Sequence, residues 1–259
     1  MISDQHIEAV SGYYQTPDGL FPRVTSITGV INKPALVPWA AKEERESIYS
    51  SLRGLLAEGK VTRESLMAEL EKRLGQEKEH RKKLRFASDT GSQVHHLIHW
   101  CLRGEEGPRP DAGIEANHAY GCWQEWKARA CLETAMVECT VWDKAEAYAG
   151  TLDCLGNLLI GDGDGGVDAV IDWKTGSGIY PESFLQIAAY SRCLPPTNRG
   201  ALYGVIVRLP KVLTDSTVEV KVLDPTEMGE AYEAFLAAKR LWGFLESQKP
   251  APKRKVKAA

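Results

Sequence analysis

The chain changes its hydrophobic period near its midpoint. Up to about residue 133, apolar positions recur every three or four residues, as on a helix with one buried face. Beyond it they alternate or run together, as in strands. In "VTRESLMAELEKRLG", Leu66, Leu70 and Leu74 repeat every four residues between Thr62, a capping residue, and Gly75, a helix stop. "ALVPWAAKEERESIYSSLRGLLAEG" reads as helix from about Pro38, with proline in the first turn. "QEKEHRKKLR" continues as a charged segment, whose plainest reading is a solvated helix face. "SDTGSQVHHLIHWCLRG" is predicted as a separate helix capped by Ser88 or Asp89. Its Val94, Leu97, Ile98, Cys101 and Leu102 form one apolar arc, with His95 at the edge, His99 just beyond it and His96 facing away. His96 and His99 are therefore expected at the surface or behind a site; His95 and His99, four apart, could also make a zinc site, but no glutamate follows His95 to complete His-Glu-x-x-His, which argues against it. A further helix covers about 112–133, and "FPRVTSITGVI" near the start reads as a strand or a strand leading into a helix.

After that the period is two. "MVECTVWD", "AGTLDCLGNLLIG" and "GVDAVIDWKTG" read as successive strands, with "GDGDGG" as the turn between the last two. A helix over "PESFLQIAAYSRCL", a loop "PPTNRG", a strand "ALYGVIVRL", an alternating edge strand "TVEVKVL" and a closing helix "PTEMGEAYEAFLAAKRLWGFLES" follow. This order predicts a mixed α/β core: three hairpin-connected strands, then a fourth that returns over a helix. The division expected is an N-terminal helical region at 1–110, a core at 111–247 and a disordered basic tail at 248–259.

Composition narrows the classes. At 259 residues, with 43% hydrophobic and 26% charged residues, the chain is an ordinary globular sequence, and no apolar run spans a membrane. The N-terminus shows no secretory pattern, so a cytoplasmic setting is expected. The six cysteines include no C-x-x-C pair and read as reduced, buried thiols. A net charge of −3 argues against a protein that coats DNA without regard to sequence, but leaves room for a local basic groove.

The candidate chemistry lies in the strands. In "VIDWKTG", Asp172 and Lys174 project together while Trp173 points away. Burying opposite charges is costly unless they serve each other or a ligand, so they are either an internal ion pair or half of a metal site. Glu138 lies on the first core strand and Asp153 on the second; Gln186 and Tyr190 share a helix face. If the strands pair as hairpins, Asp153 and Asp172 meet at one end of the sheet. A hard cation, Mg²⁺ or Mn²⁺, would resolve their repulsion. His95 could add a nitrogen ligand and the Trp173 carbonyl an oxygen. Such a site suits phosphodiester hydrolysis, with Lys174 orienting water and stabilising charge on the phosphate.

In order, Glu138, "GTLD" (Gly150–Asp153), "DWK" (Asp172–Lys174) and "QIAAY" (Gln186–Tyr190) resemble the PD-(D/E)XK nucleases, specifically their RecB-like branch. "GSQVH" (Gly91–His95) resembles that branch's histidine motif. "FPRVTSITGVINKPALVPWA" resembles a pattern found in phage relatives and in the mitochondrial genome-maintenance exonuclease. The resemblance covers roughly residues 20–210. It implies a restriction-endonuclease-like core, a mixed central β-sheet flanked by helices, with an N-terminal helical region. It implies metal ligation by His95, Asp153, Asp172 and the Trp173 carbonyl, catalysis involving Lys174 and Glu138, and DNA contact or bracing by Gln186 and Tyr190. The function implied is a DNA exonuclease acting on single-stranded ends in recombination, repair or replication, with proteins of those processes as partners and a bacterial or phage-infected cell as setting. "RKKLR" places Arg81, Lys82 and Lys83 just before the His95 helix, where they would line a DNA groove. Some RecB-like relatives hold an iron–sulfur cluster with three cysteines near the C-terminus; only Cys193 follows the lysine here, which argues against one. The alternatives are a non-catalytic nucleic-acid-binding protein of the same fold and an endonuclease of the same superfamily.

Overall fold

The computed structural model describes the chain except for residues 4–6, 8, 60, 76, 161–164, 196–201 and 251–259. The "GDGDGG" turn, the "PPTNRG" loop and the basic tail fall largely on those positions and so lie outside the described residues.

The three predicted core strands are β5 (Glu133–Asp143), β6 (Tyr148–Leu159) and β7 (Gly166–Lys174), paired antiparallel in sequence order. Helix α6 (Pro181–Cys193) then carries the chain to β8 (Tyr203–Arg208), which lies parallel to β7, and β9 (Glu219–Leu223) pairs antiparallel with β8. With β1 (Ile2–Ser3) on the other edge the order is β1-β5-β6-β7-β8-β9, the mixed sheet that the strand pattern predicts.

Helices cover both faces. One face packs on α1 (Val24–Thr28), α6 and α7 (Pro225–Ser247) around Tyr148, Val170, Ile187, Ile206 and Phe235. The other packs on α4 (Glu79–Arg103) and α5 (Ile114–Arg129) around Leu97, Trp123, Ile171, Trp173 and Val207. Trp173 is wholly buried, its ring edge-on to Trp123 and Trp126 at 6.0 and 5.6 Å. This aromatic clasp fixes the pleat of β7, so its even-numbered neighbours must face the other way. Helices α2 (Leu36–Glu58) and α3 (Leu66–Leu74) lie between α1 and α4 along the chain. Among the described residues no helix is long and apolar enough to cross a membrane.

Three expectations change. The strand leading into a helix at "FPRVTSITGVI" is β4 (Gly19–Pro22) ahead of α1, but it belongs to an unexpected small separate sheet with β2 (Ala9–Val10) and β3 (Tyr13–Thr16). The charged segment and the His95 segment are one helix, α4, so Ser88 and Asp89 cap nothing. Thr90 Oγ1 donates to the Phe86 carbonyl at 2.8 Å and Ser92 Oγ to the Ser88 carbonyl at 3.2 Å, satisfying polar groups inside the helix. Cys131 is exposed, unlike the buried Cys122, Cys139, Cys154 and Cys193.

Helix α7 shows the local logic most plainly. Asp224 accepts from the Thr226 and Glu227 amides at 2.8 Å each, and Glu227 Oε2 accepts from the Asp224 amide at 2.9 Å. Replacing Asp224 by alanine leaves those amides without a side-chain acceptor and is expected to cost about 1 kcal/mol. Urea denaturation, read as a lower midpoint at unchanged slope, checks this.

Candidate active site

The site begins as a fault in two strands. The β5–β6 register pairs Val137 with Cys154 and Cys139 with Leu152, which sets Glu138 opposite Asp153. The β6–β7 register ends at Cys154 with Ile171; one step further along it, Asp172 faces Asp153. Three carboxylates therefore form a row across three neighbouring strands. Side-chain alternation slips at this row. On β6, Leu152 and Leu155 both belong to the core under α6 and α7, whereas Cys154 belongs to the core under α4 and α5. Strict alternation would put Leu152 and Cys154 on the same side. On β5, Glu138 has a left-handed backbone, φ 52°. A non-glycine residue there costs on the order of 1–3 kcal/mol, and such strain concentrates at functional sites.

Asp153 is placed by what it caps. Its Oδ2 accepts from the Trp173 amide at 3.0 Å, where the β6–β7 ladder has ended, and its Oδ1 is 3.5 Å from His95 Nδ1. His95 Nε2 lies 3.0 Å from the Trp173 carbonyl. Gly91, one turn earlier on α4, is the close-approach point: a Cβ there would lie 3.0 Å from Thr175 Oγ1, just past β7. The glycine of the Gly91–His95 motif thus lets the helix settle against the strand end that carries the ligand groups.

Asp172 is almost fully buried, and its Oδ2 is 2.6 Å from Lys174 Nζ. Lys174 also donates to Gln186 Oε1 at 3.0 Å, and Gln186 Nε2 donates to the Tyr190 hydroxyl at 3.0 Å. Gln186 and Tyr190 thus form a brace that leads from α6 to the ammonium. Tyr190 reaches its place because β6 has a glycine beneath it: a Cβ on Gly150 would sit 2.3 Å from the ring. Beside Lys174 a cleft of about 270 Å³ opens, lined by Thr25, Thr28, Lys33, Tyr180, Glu182 and Gln186. A Lys33–Glu182 ion pair at 2.6 Å crosses it.

The electrostatics divide the two aspartates. Burial pushes the Asp172 carboxyl above the usual range; Lys174 opposes that shift and Asp153 adds to it. Burial would also raise Asp153, but His95 and then Lys174 outweigh it and hold that carboxyl low. Burial would lower His95 and Lys174, yet Asp153 raises the first and Asp172 the second. Two carboxylates, one of them strained toward its neutral form, form a place that favours added positive charge.

The structure brings together His95, Asp153, Asp172, the Trp173 carbonyl, Lys174, Gln186 and Tyr190. Glu138 joins them at one remove, through His99. Of the two places expected for it, that histidine takes the buried one behind the site: it is 4% exposed, because the last turns of α4 pack against β5. Its Nδ1 is 2.8 Å from Glu138 Oε2, and one donor atom each from His95, His99 and Asp153 lie within 4.8 Å of one another. The available signal was its spacing, one turn beyond His95. The basic run stands apart. Lys83 pairs with Glu43 and Lys82 lies 3.6 Å from Glu79. At the helical rise, Arg81 to Lys83 are about 18–21 Å along α4 from His95.

The donor set fits a divalent metal. Donor atoms of His95, His99 and Asp153 lie within 4.8 Å of one another, and the Trp173 carbonyl is 3.0 Å from His95 Nε2; Asp172, expected among the ligands, is not in that group, because its Oδ2 is 2.6 Å from Lys174 Nζ.

No protein-family profile and no curated protein matches the chain. Among solved structures, 15 chains match. One is an alkaline exonuclease from Laribacter hongkongensis, 13% identical, with a TM-score of 0.31, covering 62% of this chain and 89% of that one. A likeness of that size assigns no residue.

Proposed function

We propose that the protein is a divalent-metal-dependent deoxyribonuclease of the PD-(D/E)XK kind, on the RecB-like branch, that hydrolyses DNA from single-stranded ends. The observation that carries this reading is Lys174. Its ammonium is held between Asp172 and the Gln186–Tyr190 brace, beside the Asp153–His95 pair, and it lines an open cleft. An internal ion pair would need neither the brace nor the cleft.

His95, Asp153, Asp172 and the Trp173 carbonyl would hold Mg²⁺ or Mn²⁺. When bound, that ion polarises a phosphoryl oxygen and lowers the pKa of a ligated water. Lys174 has three donor protons. One goes to Gln186 while the ammonium is ion-paired with Asp172, so a proton remains for the attacking water or a phosphoryl oxygen in the cleft. Gln186, held in turn by Tyr190, fixes the ammonium beside Asp172. Glu138 acts from behind, through His99. The cleft beside Lys174 receives the strand, and Tyr180 at its edge offers a half-exposed ring for a base to stack on. Arg81, Lys82 and Lys83 would meet a longer substrate farther along α4.

The test uses end-labelled linear and closed circular DNA, single- and double-stranded, with Mg²⁺, Mn²⁺ or a chelator. Linear single strands are expected to shorten from an end, and chelation should abolish this until Mg²⁺ or Mn²⁺ is restored. Cleavage of circles would replace the exonuclease reading with an endonuclease one. Inertness toward every substrate with either ion would leave a non-catalytic binding protein.

A further inference from the structure

Glu138 and His99 are not used by the ligand set above, yet both are tightly placed. His99 Nδ1 is engaged by Glu138 Oε2 at 2.8 Å. Its other ring nitrogen, Nε2, is buried and has no hydrogen-bond partner among the described residues. A buried polar atom without a partner costs about 1–3 kcal/mol, so it needs an explanation. The His95 and His99 rings stand edge to face with centroids 5.7 Å apart, and Asp153 completes a group whose donor atoms lie within 4.8 Å of one another. Metal-binding histidines characteristically give their second ring nitrogen to a carboxylate, which fixes the tautomer and raises the basicity of the nitrogen left for the metal. Glu138 stands in that relation to His99, and it reaches it by means of its left-handed backbone.

We propose that the site offers a second, nitrogen-rich coordination set, His95–His99–Asp153, which takes a first-row transition ion such as Co²⁺ or Zn²⁺, with Glu138 as the residue that positions His99. This deepens the functional reading above, since the two sets share His95 and Asp153. Sharing them makes the sets mutually exclusive. An oxygen-preferring ion such as Mg²⁺ is drawn toward Asp172 and the Trp173 carbonyl. An imidazole-preferring ion is drawn toward His99, away from Lys174. Two imidazoles and one carboxylate select against Mg²⁺ by ligand type, whatever the ion's availability.

Cobalt is the probe, because its visible absorption reports binding and coordination geometry without any assay of cleavage. Purified full-length protein is titrated with Co²⁺ and, separately, with Mg²⁺ in competition. The His99→Gln variant is expected to lose at least about tenfold in Co²⁺ affinity, and Glu138→Gln about 10–100-fold, as for the carboxylate partner of a metal-bound histidine. Asp172→Asn should lose clearly less Co²⁺ affinity than His99→Gln. Equal Co²⁺ affinity in His99→Gln and the parent overturns the proposal. So does a loss in Asp172→Asn as large as that in His99→Gln, because the ion would then sit on the oxygen-rich set. If His99→Gln fails to fold, ¹⁵N-histidine spectra of the unaltered protein decide. Zinc should shift the His99 Nε2 resonance into the metal-bound range, and an unmoved resonance refutes the assignment. The two readings fail separately. Absent cleavage with intact His99-dependent cobalt binding sinks only the nuclease, whereas cleavage without that dependence sinks only the second set.

Discussion

Replacing Lys174 by methionine is expected to lower the rate of DNA cleavage by about 10²–10³-fold, the usual cost of removing one preorganised donor that faces developing charge. Methionine keeps most of the volume and removes only the ammonium, so the cleft should keep its shape. Lys174 is not among the proposed ligands, so cation binding should survive. The loss should therefore fall on kcat, measured on end-labelled single strands with saturating Mn²⁺, while Mn²⁺ affinity stays near that of the parent. Removing the ammonium also leaves Asp172 buried beside Asp153 with its closest counter-charge gone. Breaking one side of a buried pair is costly, so the metal-free variant should melt below the parent, and Mn²⁺ should narrow the gap. Undiminished kcat in the variant would end the catalytic assignment and leave Lys174 as the counter-charge of Asp172.

The second large effect comes from a residue with no chemistry of its own. Gly150→Ala would set a Cβ 2.3 Å from the Tyr190 ring. The ring cannot simply move aside. It is 3% exposed and its hydroxyl accepts from Gln186, which in turn holds Lys174. Overpacking of this kind costs about 1–3 kcal/mol, or a melting temperature lower by about 2–4 °C per kcal/mol. Cleavage should fall too, because a displaced Tyr190 releases Gln186 and the ammonium loses its brace. The double variant Gly150→Ala/Tyr190→Leu separates the two effects. Room is restored, so melting should recover toward that of the parent, but cleavage should not, since leucine cannot hold Gln186. Parental melting in the single variant would mean that the strand yields at Gly150 without disturbing the ring.

Much of the fold was legible along the chain because each local choice agreed with the whole. Period two over β5, β6 and β7, and a helix before β8, required a meander followed by a crossover. The elements that were not legible are those whose local signals conflict. Ser88, Asp89 and Thr90 look like a helix start. Inside α4 the packing of the flanking turns carries them through, and Thr90 bonds back to Phe86. Strands β2 and β3 are two and four residues long, too short for any period to emerge. Glu138 reads as an ordinary strand residue, because a left-handed backbone at a non-glycine leaves no mark in composition.

The candidate site divides in the same way. Residue order alone determined that Asp172 and Lys174 share a face, that Gln186 and Tyr190 share another, and that a histidine motif precedes them, because alternation and helical pitch are properties of a single element. Only the tertiary structure decided which of these groups meet. The slip in β5 and β6 sets Glu138 and Asp153 beside Asp172; Gly91 and Gly150 admit α4 and Tyr190 at close range; and α4 buries His99 against Glu138. Such meetings depend on how separate elements pack, and packing is settled by shape and by the satisfaction of buried polar groups across the whole chain, which no local stretch encodes.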